Sequence, residues 1–121
     1  MALPEIIHID RGGSFSRTVT QDGSAMDLSA ATKIELEFYD APGTPIIAFD
    51  TDGDPGNFDN TLASGIVTFV WAIGTFDAAA VDLALMGTVT RVQHFARIIV
   101  YTATHVDGYV VPDQFVAEFW R

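Results

Sequence analysis

The sequence predicts an all-β domain, a sandwich or barrel of about seven to nine short strands with one short helix. Three observations point there. Apolar residues recur mostly at a spacing of two, the period of a strand with one buried face. Turn signals fall between these segments at intervals of roughly ten to fifteen residues. The chain has 121 residues, which is one domain, and a compact chain of that length buries roughly two-thirds of its unfolded surface.

The elements follow in order. Ile7 and Ile9 alternate with His8 and Asp10, so residues 1–9 read as an N-terminal arm or first strand, and 10–121 as one β-sandwich domain. Phe15, Arg17 and Val19 alternate with serines and threonines. Gln21-Asp-Gly-Ser24 is a turn. After Met26 and Leu28 comes the clearest half-buried strand, with Ile34, Leu36 and Phe38 on one face and Lys33, Glu35 and Glu37 on the other. Ala41-Pro-Gly-Thr-Pro45 closes it, and Ile46 to Phe49 forms a short strand.

Asp50 to Ser64 is a loop rich in Asp, Gly, Asn and Pro. Ile66 to Ile73 is apolar at every position but Thr68, which predicts a central strand buried on both faces or lying at an interface. The period then changes. Asp77 to Met86 holds helix formers without glycine or proline, with Thr75 as N-cap and Gly87 just past the end, so a helix is predicted near 77–86. Thr88 to Thr104 is β-prone, with Ala96, Ile98 and Val100 on one face. Val106-Asp-Gly-Tyr109 is a hairpin signal, and the last strand is predicted from about Val110 to Trp120. Pro112 near its start suits an edge or entry position.

Composition excludes several functions. Six basic residues face sixteen acidic ones, a formal net charge of −10, and Lys33 is the single lysine. Nucleic acid and anionic membranes both require a basic footprint, so neither is an expected partner. The absence of cysteine removes disulfides, thiol catalysis and thiolate zinc sites. At 49% hydrophobic residues the chain is not a disordered acidic tail. The start, Met1-Ala-Leu-Pro-Glu5, has no basic n-region, and no apolar run approaches the roughly 20 residues of a spanning helix. The expectation is a soluble protein made in the cytoplasm.

A family resemblance covers most of the chain. It is carried by Arg11-Gly-Gly-Ser-Phe-Ser-Arg-Thr-Val-Thr20, Asp22-Gly-Ser-Ala-Met-Asp-Leu-Ser-Ala-Ala-Thr32, the strand Lys33 to Phe38 with Pro42-Gly-Thr-Pro45, Ser64-Gly-Ile-Val-Thr68, and the closing hairpin of Ile98 to Phe119 around Asp107-Gly108. In this order the segments resemble the immunoglobulin-like N-terminal domain of siphophage baseplate upper proteins and its stand-alone relatives. These are turn and strand signals and not a catalytic motif, so no site residue carries over. The long acidic loop and the helix near 77–86 depart from the family pattern. The resemblance implies an immunoglobulin-like antiparallel β-sandwich and a structural role in a phage virion.

Candidate sites are few. Asp50, Asp52, Asp54, Asn57, Asp59 and Asn60 form the densest acidic cluster, and Asp50-Thr-Asp-Gly-Asp54 opens like an EF-hand. That motif requires glycine at loop position 6 and glutamate at 12, where this chain has Pro55 and Thr61. The loop therefore reads as a solvated turn, with calcium on Asp50, Asp52, Asp54 and Asp59 as the weaker alternative. Glu35 and Glu37 read as a solvated outer face and not as a catalytic pair. His8, His94 and His105 lack ligand spacing, although His94 stands near Arg91 and Arg97. No serine lies in a nucleophile elbow. Phe69, Trp71 and Phe76 surround the helix start, and Phe115, Phe119 and Trp120 crowd the C-terminus, mostly as core.

The expected function is therefore non-enzymatic, with no cofactor. The leading expectation is a capsid decoration or cement protein of a phage virion; a tail or baseplate adaptor comes second, and a carbohydrate-binding module third. The partners would be other virion proteins, the major capsid protein or tail proteins, or further copies of the chain. The residues expected at the contact are Leu3, Ile6 and Ile7 in an extended apolar arm, with Phe119 and Trp120 at the other end. A sugar-binding module would instead need exposed coplanar aromatics, for which Trp71 and Tyr109 serve only if exposed, or a bound calcium. The acidic residues are expected to gather on the solvent side, away from the contact.

Overall fold

The structure is a computed structural model that describes residues 6–9, 13–21, 23–41, 44–59, 64–71, 91–112 and 114–120. The helix expected near 77–86 lies outside the described residues, as does Leu3. The described part is an all-β, sandwich-like fold. Its strands are β1 (Ile6–Ile9), β2 (Gly13–Thr18), β3 (Thr20–Gln21), β4 (Ser24–Ala25), β5 (Lys33–Ala41), β6 (Thr44–Asp50), β7 (Ile66–Trp71), β8 (Arg91–Tyr101), β9 (Tyr109–Val110) and β10 (Phe115–Trp120). One 3-10 turn, Pro55–Asn57, interrupts them. No helix among the described residues is long and apolar enough to cross a membrane.

The large sheet has the order β1-β10-β8-β5-β6. Its pairings are antiparallel except for β1, which runs parallel to β10. Residues 6–9 are thus a strand of the sheet, with Ile9 in the core, and not a free arm. β9 and β10 lie end to end along β8. The single strand expected from Val110 is broken at Pro112, which has no N–H to give a ladder and whose carbonyl accepts from the Gln114 amide at 3.0 Å.

A second, two-stranded sheet pairs β2 with β7. Here β7 departs from one of the two alternatives, burial on both faces within the domain. Val67, Phe69 and Trp71 are buried, but Ile66 and Thr68 are half-buried and Val70 is exposed. The strand has one buried face, because no described element covers the other.

The two sheets meet through aromatic side chains. Phe15 stands edge-on to Phe115 at 5.3 Å between centroids, and Phe49 lies 5.0 Å from Phe69. Phe38 bridges Phe49 and Phe119. Ile34, Leu36, Ala96, Ile98, Val100 and Ala117 fill the large sheet's inner face. Arg17 also points inward, its guanidinium 4.7 Å from the Phe115 ring centre, so its charge rests on a ring face. Gly65 connects the layers. Its carbonyl accepts from Val19 N at 2.7 Å, its φ is +72°, and a Cβ there would stand 2.5 Å from the Met26 carbonyl oxygen. Only glycine meets both conditions.

Candidate interaction surface

Alternation sends Ala96, Ile98 and Val100 of β8 into the core, so Phe95, Arg97 and Ile99 belong to the opposite, outer face. The register then decides what stands beside Phe95. Val116 of β10 is opposite it on one side and Tyr39 of β5 on the other. Ile6 of β1 pairs with Val116, and Pro45 of β6 pairs with Tyr39 across a β-bulge. Ile6, Val116, Phe95, Tyr39 and Pro45 therefore form one apolar row across β1, β10, β8, β5 and β6.

The row is open to solvent where its large side chains stand. Ile6 is 48% exposed and Phe95 50% exposed. Pro45 is exposed and Val116 half-buried. Tyr39 is only 4% exposed, because Phe95 leans over it with the rings 5.9 Å apart and Arg97 lies 5.2 Å from its ring centre. Its hydroxyl donates to Gln114 Oε1 at 2.6 Å.

The carboxylates flanking this row are engaged. Glu37 accepts from Arg97 Nε at 3.0 Å and Nη2 at 2.9 Å. Glu118 accepts from Gln93 Nε2 at 2.7 Å. Both glutamates are buried, which corrects the expectation that Glu37 is solvated. The pattern alone placed it outward, and on that face it is 6% exposed and paired with Arg97. Glu35 keeps a half-buried position opposite Asp50. Burial raises its carboxyl above the usual glutamate range, opposed by Lys33 and Arg97 and reinforced by Glu37 and Asp50.

The other candidates fall elsewhere. Phe119 is fully buried against Phe38, so it is a core residue with no surface for a partner. Ile7 and Trp120 hold strand positions opposite Ala117 and Arg91. His94 stands on the inner-face register, its ring 5.7 Å from Phe119, while Arg97 belongs to the outer face, so the two are not grouped. Trp71 is buried and stacks on Phe69, and Tyr109 donates its hydroxyl to the Thr20 carbonyl at 3.3 Å. They do not form an exposed platform.

In the acidic loop, Asp50 Oδ1 accepts from the amides of Asp52 and Gly53 at 2.9 and 2.7 Å, and Asp54 Oδ2 accepts from Asp50 N at 3.2 Å. Two of the four calcium candidates therefore act as turn acceptors. Among the described residues no three His, Asp or Glu side chains are grouped to hold a metal. Asp27 is similarly occupied, and the Ser29 amide that bonds it holds its carboxyl below the usual aspartate range.

The outer row was missed in the sequence although a signal was present. Once Ala96, Ile98 and Val100 are assigned inward, Phe95 has to face outward, and an outward Phe needs an explanation. The largest apolar patch on an ordinary monomer is about 300–600 Å² and often functional, whereas a standard interface takes about 800 Å² from each partner. A row of five side chains is thus an anchor within a contact and not a whole interface. No known family model and no curated protein matches the sequence.

Proposed function

We propose that this chain is a non-enzymatic structural protein of a phage virion, in the first place a capsid decoration or cement protein that sits on the outer shell. The observation that carries the reading is the open apolar row Ile6–Val116–Phe95 on the outer face of the large sheet. It supports attachment by a flat sheet face to something larger. Such an anchor is weak alone, but many copies on a lattice add through multivalency. The resemblance to an immunoglobulin-like phage module supports the virion setting. That same resemblance favours a second reading, a tail or baseplate adaptor, since that is where the resembled domain occurs.

The test compares particles assembled with the native chain and with Phe95→Glu, by cryo-electron microscopy and by occupancy on purified particles. The expected result is density on the capsid that is lost in the variant while the free variant stays folded. Density at the tail would select the adaptor reading. Absence of the chain from purified virions, or full occupancy by the variant, would overturn the anchor. Deleting residues 1–7 is a poor substitute, because it removes half of β1 and uncovers the edge of β10.

A further inference from the structure

An edge strand offers a row of N–H and C=O groups to any extended chain, and folded proteins blunt such edges. Several edges here are blunted. At β6, Asp50 N donates to Asp54 Oδ2 at 3.2 Å and the Asp50 carbonyl accepts from Asp54 N at 2.8 Å, the two bonds a neighbouring strand would make. Pro45 on the same strand has no N–H to offer. At the outer side of β7, the Thr68 carbonyl accepts from Asp59 N at 2.9 Å and the Val70 carbonyl from Asn57 Nδ2 at 2.8 Å. β1 is only four residues long.

β2 is different. It runs six residues from Gly13 to Thr18, contains no proline or lysine, and pairs with β7 without a register shift. Among the described residues no strand lies on its other side. Val19 N donates to the Gly65 carbonyl at 2.7 Å, which extends the β2–β7 ladder by one position and fixes its phase. Phe15, Arg17 and Val19 therefore turn their N–H groups toward β7, and Ser14, Ser16 and Thr18 turn their N–H and C=O groups to the open edge. All three of these residues are exposed. Charge decides what suits this edge. The chain carries −10, so a contact between two copies is favoured where no carboxylate meets its own copy. β2 and β7 hold no carboxylate, and their one charged side chain, Arg17, is buried with its guanidinium over the Phe115 ring.

We propose that two copies of the chain pair through β2, antiparallel about a two-fold axis, and join their two-stranded sheets into one of four strands. Pairing centred on Ser16 sets Ser16 opposite its own copy and Ser14 opposite Thr18 of the second copy, and each such pair exchanges two main-chain hydrogen bonds. Phe15 comes opposite Arg17 of the second copy, so no like charges meet. A six-residue edge buries less than a standard interface, so the dimer is expected to dissociate with a Kd on the order of 100 μM. The contact uses no residue of the outer-face row, so either can fail without the other.

The test is sedimentation of the full chain from about 10 μM to about 1 mM, with amide hydrogen exchange followed by NMR over the same range. The expected result is a monomer–dimer equilibrium in which the Ser14, Ser16 and Thr18 amides exchange more slowly as concentration rises. Ser16→Pro removes an N–H that faces the edge and leaves the β2–β7 ladder intact, and it should weaken the dimer at least about tenfold. Two double variants change only exposed side chains and read the register even where the proline variant unfolds. Ser14→Lys with Thr18→Lys sets lysine against lysine twice across the axis and should weaken the dimer about tenfold, whereas Ser14→Lys with Thr18→Glu sets opposite charges together and should keep it. A monomer throughout the range, a dimer whose Ser14, Ser16 and Thr18 amides exchange as fast as in the monomer, or equal dimerisation of the two double variants would each overturn the proposal.

Discussion

Glu37 and Arg97 face each other across β5 and β8 with 2.9 Å between guanidinium and carboxylate, and the pair is largely covered although it lies on the outward side of its sheet. Tyr39 and Phe95 stand two residues further along the same two strands. The charged pair and the aromatic pair are thus neighbours on the outer face of one ladder, and Arg97 joins them by lying over the Tyr39 ring.

Removing one member of the ion pair should cost more than removing both. Arg97→Ala leaves Glu37 covered and unpaired, an expected loss of about 3 kcal/mol. The double change Glu37→Leu with Arg97→Met should recover most of that, because apolar groups of similar size avoid the desolvation penalty. Urea unfolding of the native chain and both variants measures the difference. A single variant as stable as the double one contradicts the argument.

Phe119 and Phe95 should differ in what their removal costs. Phe119→Ala empties a buried site beside Phe38 and should cost about 3–5 kcal/mol. Phe95→Ser removes a half-exposed ring and should cost less than about 1 kcal/mol. Thermal melts of the two variants separate core from surface.

Gly65→Ala should destabilise by at least about 2 kcal/mol, since the backbone is left-handed and the added methyl meets the Met26 carbonyl. Gly23→Ala is the matched control. It has a similar φ of +83° and nothing within 4 Å of the added atom, so it isolates the backbone strain from the clash. Equal losses in denaturant unfolding would mean that the clash contributes nothing.

Glu35 sets a pH dependence with a definite sign. Its folded carboxyl titrates above its unfolded value because burial disfavours the anion. Its contribution is complete below the unfolded glutamate pKa and is lost as pH rises through the folded value. Glu35→Gln should therefore raise the melting temperature at pH 7 and lose that advantage near pH 4, where the native side chain is itself protonated. A gain that persists unchanged at pH 4 would rule this out.

Much of the fold was legible from spacing alone. The inward set Ile34, Leu36, Phe38, Ala96, Ile98 and Val100 follows from a period of two, which is a property of the single strand. The turns at Gly23 and Gly108 were legible because positive φ selects glycine. The break at Pro112 is visible as a residue, but proline there fits an edge or entry position as well as a break. The even apolar run at Ile66 leaves a second buried face and an interface equally open, since hydropathy does not say whether a second layer exists.

What the sequence determined by itself was therefore local: an all-β chain, which side of most strands faces inward, and an acidic balance of −10. The tertiary structure decided what the outward residues do. Ile6, Val116, Phe95 and Tyr39 are far apart in the chain and become one row only through parallel β1–β10 and antiparallel β10–β8–β5 register. Glu37 is covered, and Phe119 is core, for the same reason. Alternation is set by neighbours in the chain, whereas register and layer packing are set by contacts between distant segments, and a row across five strands exists only once those contacts are made.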